Sequence, residues 1–394
     1  MIPYGKQCID SKDIAAVAAV FESEWLTTGP QVEAFEESFA NRVGAKHAIA
    51  VNNGTSALHL AMLTAKIEKG DRVLTSPNTF LASANCAAFV GATPDFVDID
   101  PKSYNLSPQQ LESQWQHDTK AVIAVDYAGQ TADTPAISKI AQQHGAIVIE
   151  DACHAVGGKF IQDGREWNVG GHPWADITTF SFHPVKTITT GEGGMLVTDN
   201  DSFASRARSL RTHGISRDPT TFIGLGDKAF DERGSWYYEM QEIGHNFRIT
   251  DFQCALGLSQ LSRLDSFVQR RRDIVKAYNS SFSDHELITI PSLRNESDRD
   301  LTSWHLYTLQ IDFKSAKIKR SNLMNRLKLR GVDTQVLYIP VHLQPYYRST
   351  FGYGLGKCPV AENFYLKALS LPLFPAMKDS DVDQVIQSVL KELN

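Results

Sequence analysis

The alternation of apolar and polar positions divides the chain into two rhythms. From about residue 46 to about residue 200, short apolar runs alternate with amphipathic stretches, the signature of βαβ units on a mainly parallel sheet. The runs 47–51, 72–75, 94–97, 121–125, 146–149, 176–182 and 194–198 read as strands. Segments 57–65, the stretch after Phe80 to near Gly91, 135–144 and 202–210 read as helices. A helix over 11–24 precedes them, with Ile14, Val17, Val20 and Phe21 on one face.

After residue 250 the character changes. Thr250 followed by Asp251 suits a helix start, and an amphipathic helical region runs on to about Tyr278. A strand at 304–311, a helix at 321–330 closed by Gly331, a strand at 332–337 and helices at 362–368 and 380–393 complete the chain. The expected fold is α/β, with a large domain over 1–250 and a smaller α+β domain over 251–394. Section 214–243 is rich in glycine, aromatic and charged residues without a period, and reads as a long excursion.

Composition narrows the function classes. The 394 residues, 42% hydrophobic and 21% charged, are enough for two domains. A net charge of -6 leaves no broad basic surface, so nucleic acid is not an expected partner, and Arg270-Arg271-Arg272 reads as the wet face of a helix. Cys8, Cys86, Cys153, Cys254 and Cys358 are scattered and never at zinc or dithiol spacing; they fit a reducing compartment and no metal site. Residues 1–6 lack a signal-peptide layout and no apolar run reaches bilayer length, so a cytoplasmic protein without a membrane partner is expected.

Against that background one lysine stands out. Lys186 lies in Ser181-Phe-His-Pro-Val-Lys186, with Gly191-Glu-Gly-Gly194 just beyond, on a loop between two strands. In a partly dry loop a lysine loses its proton near neutral pH and can form a Schiff base with an aldehyde; on a wet surface it does nothing. Asn53-Gly54-Thr55-Ser56 sits at a strand-to-helix junction, where free N–H groups bind phosphate, or where Thr55 or Ser56 simply caps the helix. Phe80, just past a strand end, either stacks on a flat ligand or packs in the core. Asp151 and His154 follow an apolar strand, at the edge where open α/β sheets bind ligands, although Asp is also a common turn residue. The loop 338–348 carries polar and aromatic tips suited to an oxygen-rich ligand. A phosphate nest, an aspartate at a strand end and a lysine 35 residues later (186 minus 151) together describe a pyridoxal phosphate site.

These motifs resemble those of the DegT/DnrJ/EryC1/StrS aminotransferases, fold-type I enzymes that act on nucleotide-linked keto sugars. The resemblance spans essentially the whole chain through Asn53–Ser56, Glu150-Asp-Ala-Cys-His154, Ser181–Gly194, Gly244-His-Asn-Phe-Arg248 and the 338–348 loop. Ile2–Lys6, Ser181–Lys186 and Tyr338–Gln344 are most similar to the pseudaminic acid branch. The resemblance implies that Lys186 bonds the cofactor aldehyde and moves the proton, Asp151 pairs with the pyridine nitrogen, His154 lies near the phenolic oxygen and Phe80 stacks on the ring. Thr55, Ser56 and Ser181 would hold the phosphate, joined by Asn246 of the partner subunit in an obligate homodimer with shared sites. Tyr4, Lys6, Thr27, His183, Tyr338 and His342 would face the substrates.

The implied reaction moves an amino group from L-glutamate to C4 of a UDP-linked 4-keto-6-deoxy-N-acetylhexosamine, giving UDP-4-amino-4,6-dideoxy-N-acetyl-β-L-altrosamine. Members of the group with histidine in place of the lysine dehydrate their substrates, so Lys186 favours amino transfer. A C4 or C3 aminotransferase for another nucleotide sugar, or a protein that binds the cofactor without turnover, are the rival readings.

Overall fold

The computed structural model describes residues 1–226 and 232–393. The chain opens with α1 (Ser11–Phe21) and α2 (Pro30–Val43). Then β1 (His47–Val51), α3 (Gly54–Thr64), β2 (Arg72–Thr75), α4 (Ala82–Phe89), β3 (Thr93–Phe96), α5 (Pro108–Gln114), β4 (Thr119–Val125), α6 (Thr134–Gln143) and β5 (Ile147–Asp151) follow as βαβ units. A hairpin of β6 (Lys159–Gln162) and β7 (Arg165–Asn168) leads to β8 (Ile177–Ser181), β9 (Gly194–Thr198) and α7 (Asp201–Arg211).

Seven of these strands form one sheet in the order β1-β9-β8-β5-β4-β2-β3. Pairing is parallel from β8 through β3, and β9 runs antiparallel to both of its neighbours. Strands β8 and β9 are buried throughout, as expected when helices cover both faces of a sheet. All strands but β9 therefore end on the same edge, and the loops after them meet there.

Helix α2 was not expected from the sequence, although its signals are present. Pro30 starts it and Gly44 ends it at φ +87°, a left-handed conformation that favours glycine. Its Phe35 and Phe39 are fully buried, and their rings pack on Phe182 and Phe180 at 5.3 and 5.0 Å. Burying each ring is worth about 2 to 3 kcal/mol. The helix thus clamps the strand end that carries Ser181.

Within section 214–243, β10 (Ile215–Ser216) pairs with β11 (Glu239–Met240). The Glu239 carboxylate accepts the N–H groups of Ile223 and Gly224 at 2.7 and 2.8 Å, tying that turn to β11, while 227–231 of the section lie outside the described residues. Next come α8 (Asp251–Leu261), which Thr250 and Gln253 start with a reciprocal capping box, and α9 (Leu264–Phe282). Strands β12 (Ile288–Thr289) and β13 (Tyr307–Ile311), helices α10 (Arg320–Leu329), α11 (Pro345–Phe351) and α12 (Pro359–Lys367), strand β14 (Ala368–Leu371) and α13 (Asp379–Leu393) complete the chain. The C-terminal strands pair in the order β12-β13-β14.

Three readings of the C-terminal part are corrected. Segment 332–337 is not a strand, because its backbone is shared between two partners: Val332 bridges Ile2 and Gln335 bridges Ser370. Residue 368 begins β14 instead of ending a helix. Arg271 is not on a wet face; it is 1% exposed, and its Nη1 reaches the carbonyl oxygens of Trp304, His305 and Leu373 at 3.3, 3.3 and 2.8 Å. Leu264, Phe267 and Val268 at the start of α9 pack with the α2 and β8 core, as does Cys254 of α8. Ile274, Val275, Tyr278 and Phe282 further along α9 pack with β13, α10 and α13. Among the described residues no helix is long and apolar enough to cross a membrane.

Candidate active site

The carboxyl ends of the parallel strands open into a cavity of about 800 Å³. One corner is built by the start of α3. Asn53 caps this helix through its side-chain oxygen, which accepts the Ser56 N–H at 2.7 Å. The helix begins at Gly54, earlier than the sequence suggested, so Gly54, Thr55 and Ser56 form its first turn. The N–H groups of Gly54 and Thr55 then have no acceptor within the helix, and the positive end of the dipole adds to them: an anion seat.

Close packing fixes that seat on the sheet. A Cβ on Gly54 would lie 2.8 Å from Ser181 Cβ and 3.3 Å from Cys153 Sγ, and one on Gly194 would lie 2.5 Å from the Asn53 carbonyl oxygen. The buried Ser181 ends β8 and brings its hydroxyl to the same corner.

Asp151 ends β5 and is 6% exposed. Both of its oxygens are held: Oδ2 accepts the Ser83 hydroxyl at 2.6 Å, and Oδ1 accepts the Cys153 N–H at 3.2 Å. Ser83 was not singled out from the sequence; the signal available was a hydroxyl inside the otherwise small and apolar start of α4. Thr79, its neighbour in the cavity wall, was missed as well.

Lys186 sits half-buried on the loop from β8 to β9, where its backbone N–H bonds the His183 carbonyl at 2.8 Å. Burial lowers the pKa of its ammonium from the ordinary lysine value, opposed by the neighbouring Cys153 and Asp151 side chains and helped by Arg271. His154 is buried beside it, and burial together with the Lys186 charge pushes its imidazole well below the usual histidine value. The ring is therefore neutral near pH 7. Its Nε2 is 3.2 Å from the Tyr338 hydroxyl, while its Nδ1 is buried without a partner among the described residues. Phe80 is 55% exposed at the rim, with its ring centre 6.2 Å from that of Tyr338. Another wall carries His59, Phe89 and Phe247, also unforeseen.

The structure thus brings Thr55, Ser56, Phe80, Asp151, His154, Ser181, His183, Lys186 and Tyr338 to one cavity. It does not bring the other expected residues there. Tyr4 packs half-buried in the cluster of Phe96 and Tyr127, and Lys6 and Thr27 are exposed. His342 is fully buried away from the cavity wall, with Nε2 at 2.9 Å from Glu362. Asn246 is exposed outside the cavity of its own chain, bridged to Thr212.

The residues present fit pyridoxal phosphate. The α3 seat with Ser181 suits a dianionic phosphate, the anchored Asp151 carboxylate suits a pyridinium N–H, and the unpartnered Nδ1 of His154 marks a polar group that awaits one.

Comparison with known proteins agrees with this geometry. The sequence model of the DegT/DnrJ/EryC1/StrS aminotransferase family matches residues 7–390. The spore coat polysaccharide biosynthesis protein SpsC of Bacillus subtilis is 42% identical over 389 residues, covering 98% of this chain and 96% of that protein. Helicobacter pylori PseC, an aminotransferase involved in the biosynthesis of pseudoaminic acid, superposes with a TM-score of 0.88 at 31% identity, covering 100% of this chain and 99% of the other. A sugar aminotransferase from Streptococcus pneumoniae, Spr1654 in its PLP form, gives 0.87 at 26% identity, with 100% and 98% covered.

Proposed function

The chain belongs to the DegT/DnrJ/EryC1/StrS aminotransferase family and is a pyridoxal phosphate-dependent sugar aminotransferase, and from that premise we propose that it moves the amino group of L-glutamate to C4 of a UDP-linked 4-keto-6-deoxy-N-acetylhexosamine. The product is UDP-4-amino-4,6-dideoxy-N-acetyl-β-L-altrosamine, a step of pseudaminic acid formation. The observation that carries the reading is the convergence of Lys186, Asp151 and His154 with the α3 anion seat in one cavity.

Pyridoxal phosphate supplies an electron sink when bound, because its protonated ring takes up the electron pair left by a broken C–H bond. The chain supplies the rest. Lys186 would hold the aldehyde until the amino donor displaces it, and its freed amine, lowered in basicity by burial, would then take a proton from the substrate carbon and return one to the product. Asp151 would accept from the pyridinium N–H, and the first turn of α3 with Ser181 would hold the phosphate. Neutral His154, braced by Tyr338, offers a polar contact beside the ring without adding charge. Phe80 covers the rim and excludes water, while His183 and Tyr338 face the sugar from the cavity wall.

The reading also includes a homodimer in which Asn246 of the partner subunit completes the phosphate site; its exposure outside its own cavity supports this. A second reading is favoured by the higher identity to SpsC, 42% against 31% for PseC: amino transfer to another nucleotide sugar of a surface polysaccharide. Mass spectrometry of the products from L-glutamate and a panel of UDP- and dTDP-linked 4-keto sugars separates the two. Conversion of a dTDP sugar alone would reject the specific assignment.

A further inference from the structure

We propose that Ser83 and Thr79 form a directed hydroxyl relay that fixes the orientation of the Asp151 carboxylate, making them positioning residues for the reaction. The proposal rests on the reading of Asp151 as the partner of the pyridine nitrogen.

The geometry sets the direction of the relay. Ser83 Oγ lies 2.6 Å from Asp151 Oδ2 and 2.7 Å from Thr79 Oγ1. A carboxylate accepts only, so the single proton of Ser83 is committed to Asp151. The Phe80 carbonyl is a poorer alternative acceptor at 3.4 Å. With that proton committed, Thr79 must donate to Ser83. The order Thr79 to Ser83 to Asp151 is therefore imposed by valence.

Burial gives the relay its strength. Ser83 is 0% exposed and Thr79 3%, and a hydrogen bond from a buried hydroxyl to a carboxylate is among the stronger kinds. With Oδ1 held by the Cys153 N–H, the carboxylate is pinned at both oxygens and cannot rotate. Each pin comes from a different element, the start of α4 and the loop after β5. Two buried carboxyl groups, Asp126 and Glu150, lie near Asp151, and Glu150 already has its own partners, His172 at 3.0 Å and the Thr178 hydroxyl at 2.9 Å. Burial, then Glu150, raises the Asp126 carboxyl well above its ordinary value. The hydroxyl relay thus supports Asp151 from the α4 side, and the Cys153 side chain meets the same carboxyl from the loop after β5.

The test uses the full-length protein loaded with pyridoxal phosphate and three variants, Ser83→Ala, Thr79→Val and Thr79→Ser. The readouts are the cofactor dissociation constant, the single-turnover rate with L-glutamate and the pH dependence of the absorbance of the bound cofactor. Ser83→Ala should slow the glutamate half-reaction about tenfold or more and shift the absorbance titration. Thr79→Val, nearly equal in volume, should do the same to a smaller degree, and Thr79→Ser should restore wild-type behaviour. Wild-type rates and titrations in both Ser83→Ala and Thr79→Val would overturn the relay while leaving the amino-transfer reading intact. If the wild type itself binds no cofactor, or glutamate never converts it, the underlying reading falls and the relay with it. Because Thr79→Val keeps the shape of the site, a folding failure of Ser83→Ala leaves the decision with Thr79.

Discussion

His154 Nε2 lies 3.2 Å from the Tyr338 hydroxyl, so an imidazole from the β5 end is braced by a phenol from the C-terminal part of the chain. Since burial keeps His154 neutral, one of its ring nitrogens is a donor and the other an acceptor, and the Tyr338 hydroxyl is the partner of Nε2. Tyr338→Phe removes the brace and leaves the ring. We expect a loss of about three- to tenfold in kcat/KM, the range of one neutral hydrogen bond, with little change in melting temperature. Steady-state kinetics beside a thermal melt checks this; an unchanged kcat/KM would remove Tyr338 from the account.

The seat at α3 makes a steric prediction. In Gly194→Ala the new methyl would meet the Asn53 carbonyl oxygen at 2.5 Å, a backbone atom that cannot swing aside. The start of α3 must then lift from β9, at a cost of about 1 to 3 kcal/mol. Cofactor titration should show at least a tenfold weaker dissociation constant. Retention of wild-type affinity would mean that this junction does not hold the phosphate.

The wall formed by His59 predicts a pH effect on stability. Burial, then His245, lowers the His59 pKa to about 4 from the ordinary 6.5. Below the unfolded value the unfolded chain binds a proton that the folded chain refuses, so this residue costs stability as pH falls from 6.5 toward about 4. Denaturant melts of His59→Gln across that window should show a flatter decline than the wild type. Parallel curves would contradict the assignment.

The proposed sharing of sites between two subunits predicts complementation. Lys186→Ala lacks the reacting amine and Asn246→Ala lacks the proposed phosphate contact, so each alone should be impaired. Unfolding and refolding the two together should restore activity, because one site of a mixed dimer then has both residues intact. No recovery on mixing, with dimers confirmed by light scattering, would place Asn246 outside the partner's site.

How much of this was legible in the sequence depends on range. Strands 72–75 and 194–198 and the Asn53–Ser56 junction were readable because each depends on neighbours in the chain. Helix α2 carried readable caps in Gly29-Pro30 and Gly44, and was missed all the same. Ser83 was not readable: it meets Asp151 across 68 positions, and only the sheet order brings them together. Tyr338 meets His154 across 184 positions. His342 shows the reverse error, a polar residue in a promising loop whose partner, Glu362, draws it into the core. Arg271 was legible and missed: Leu264, Phe267, Val268, Ile274, Val275 and Tyr278 recur at helical spacing, and that spacing puts 271, not 270 or 272, on the buried face.

In the proposed reaction the Lys186 amine is the group that bonds the cofactor aldehyde. Borohydride reduction of the loaded protein, digestion and mass-spectrometric mapping of the modified peptide identify that group. A yellow protein that bleaches is expected, with the reduced pyridoxyl group on Lys186 and none in Lys186→Ala. A label on another lysine, or a wild-type protein that stays colourless after reconstitution, would contradict it.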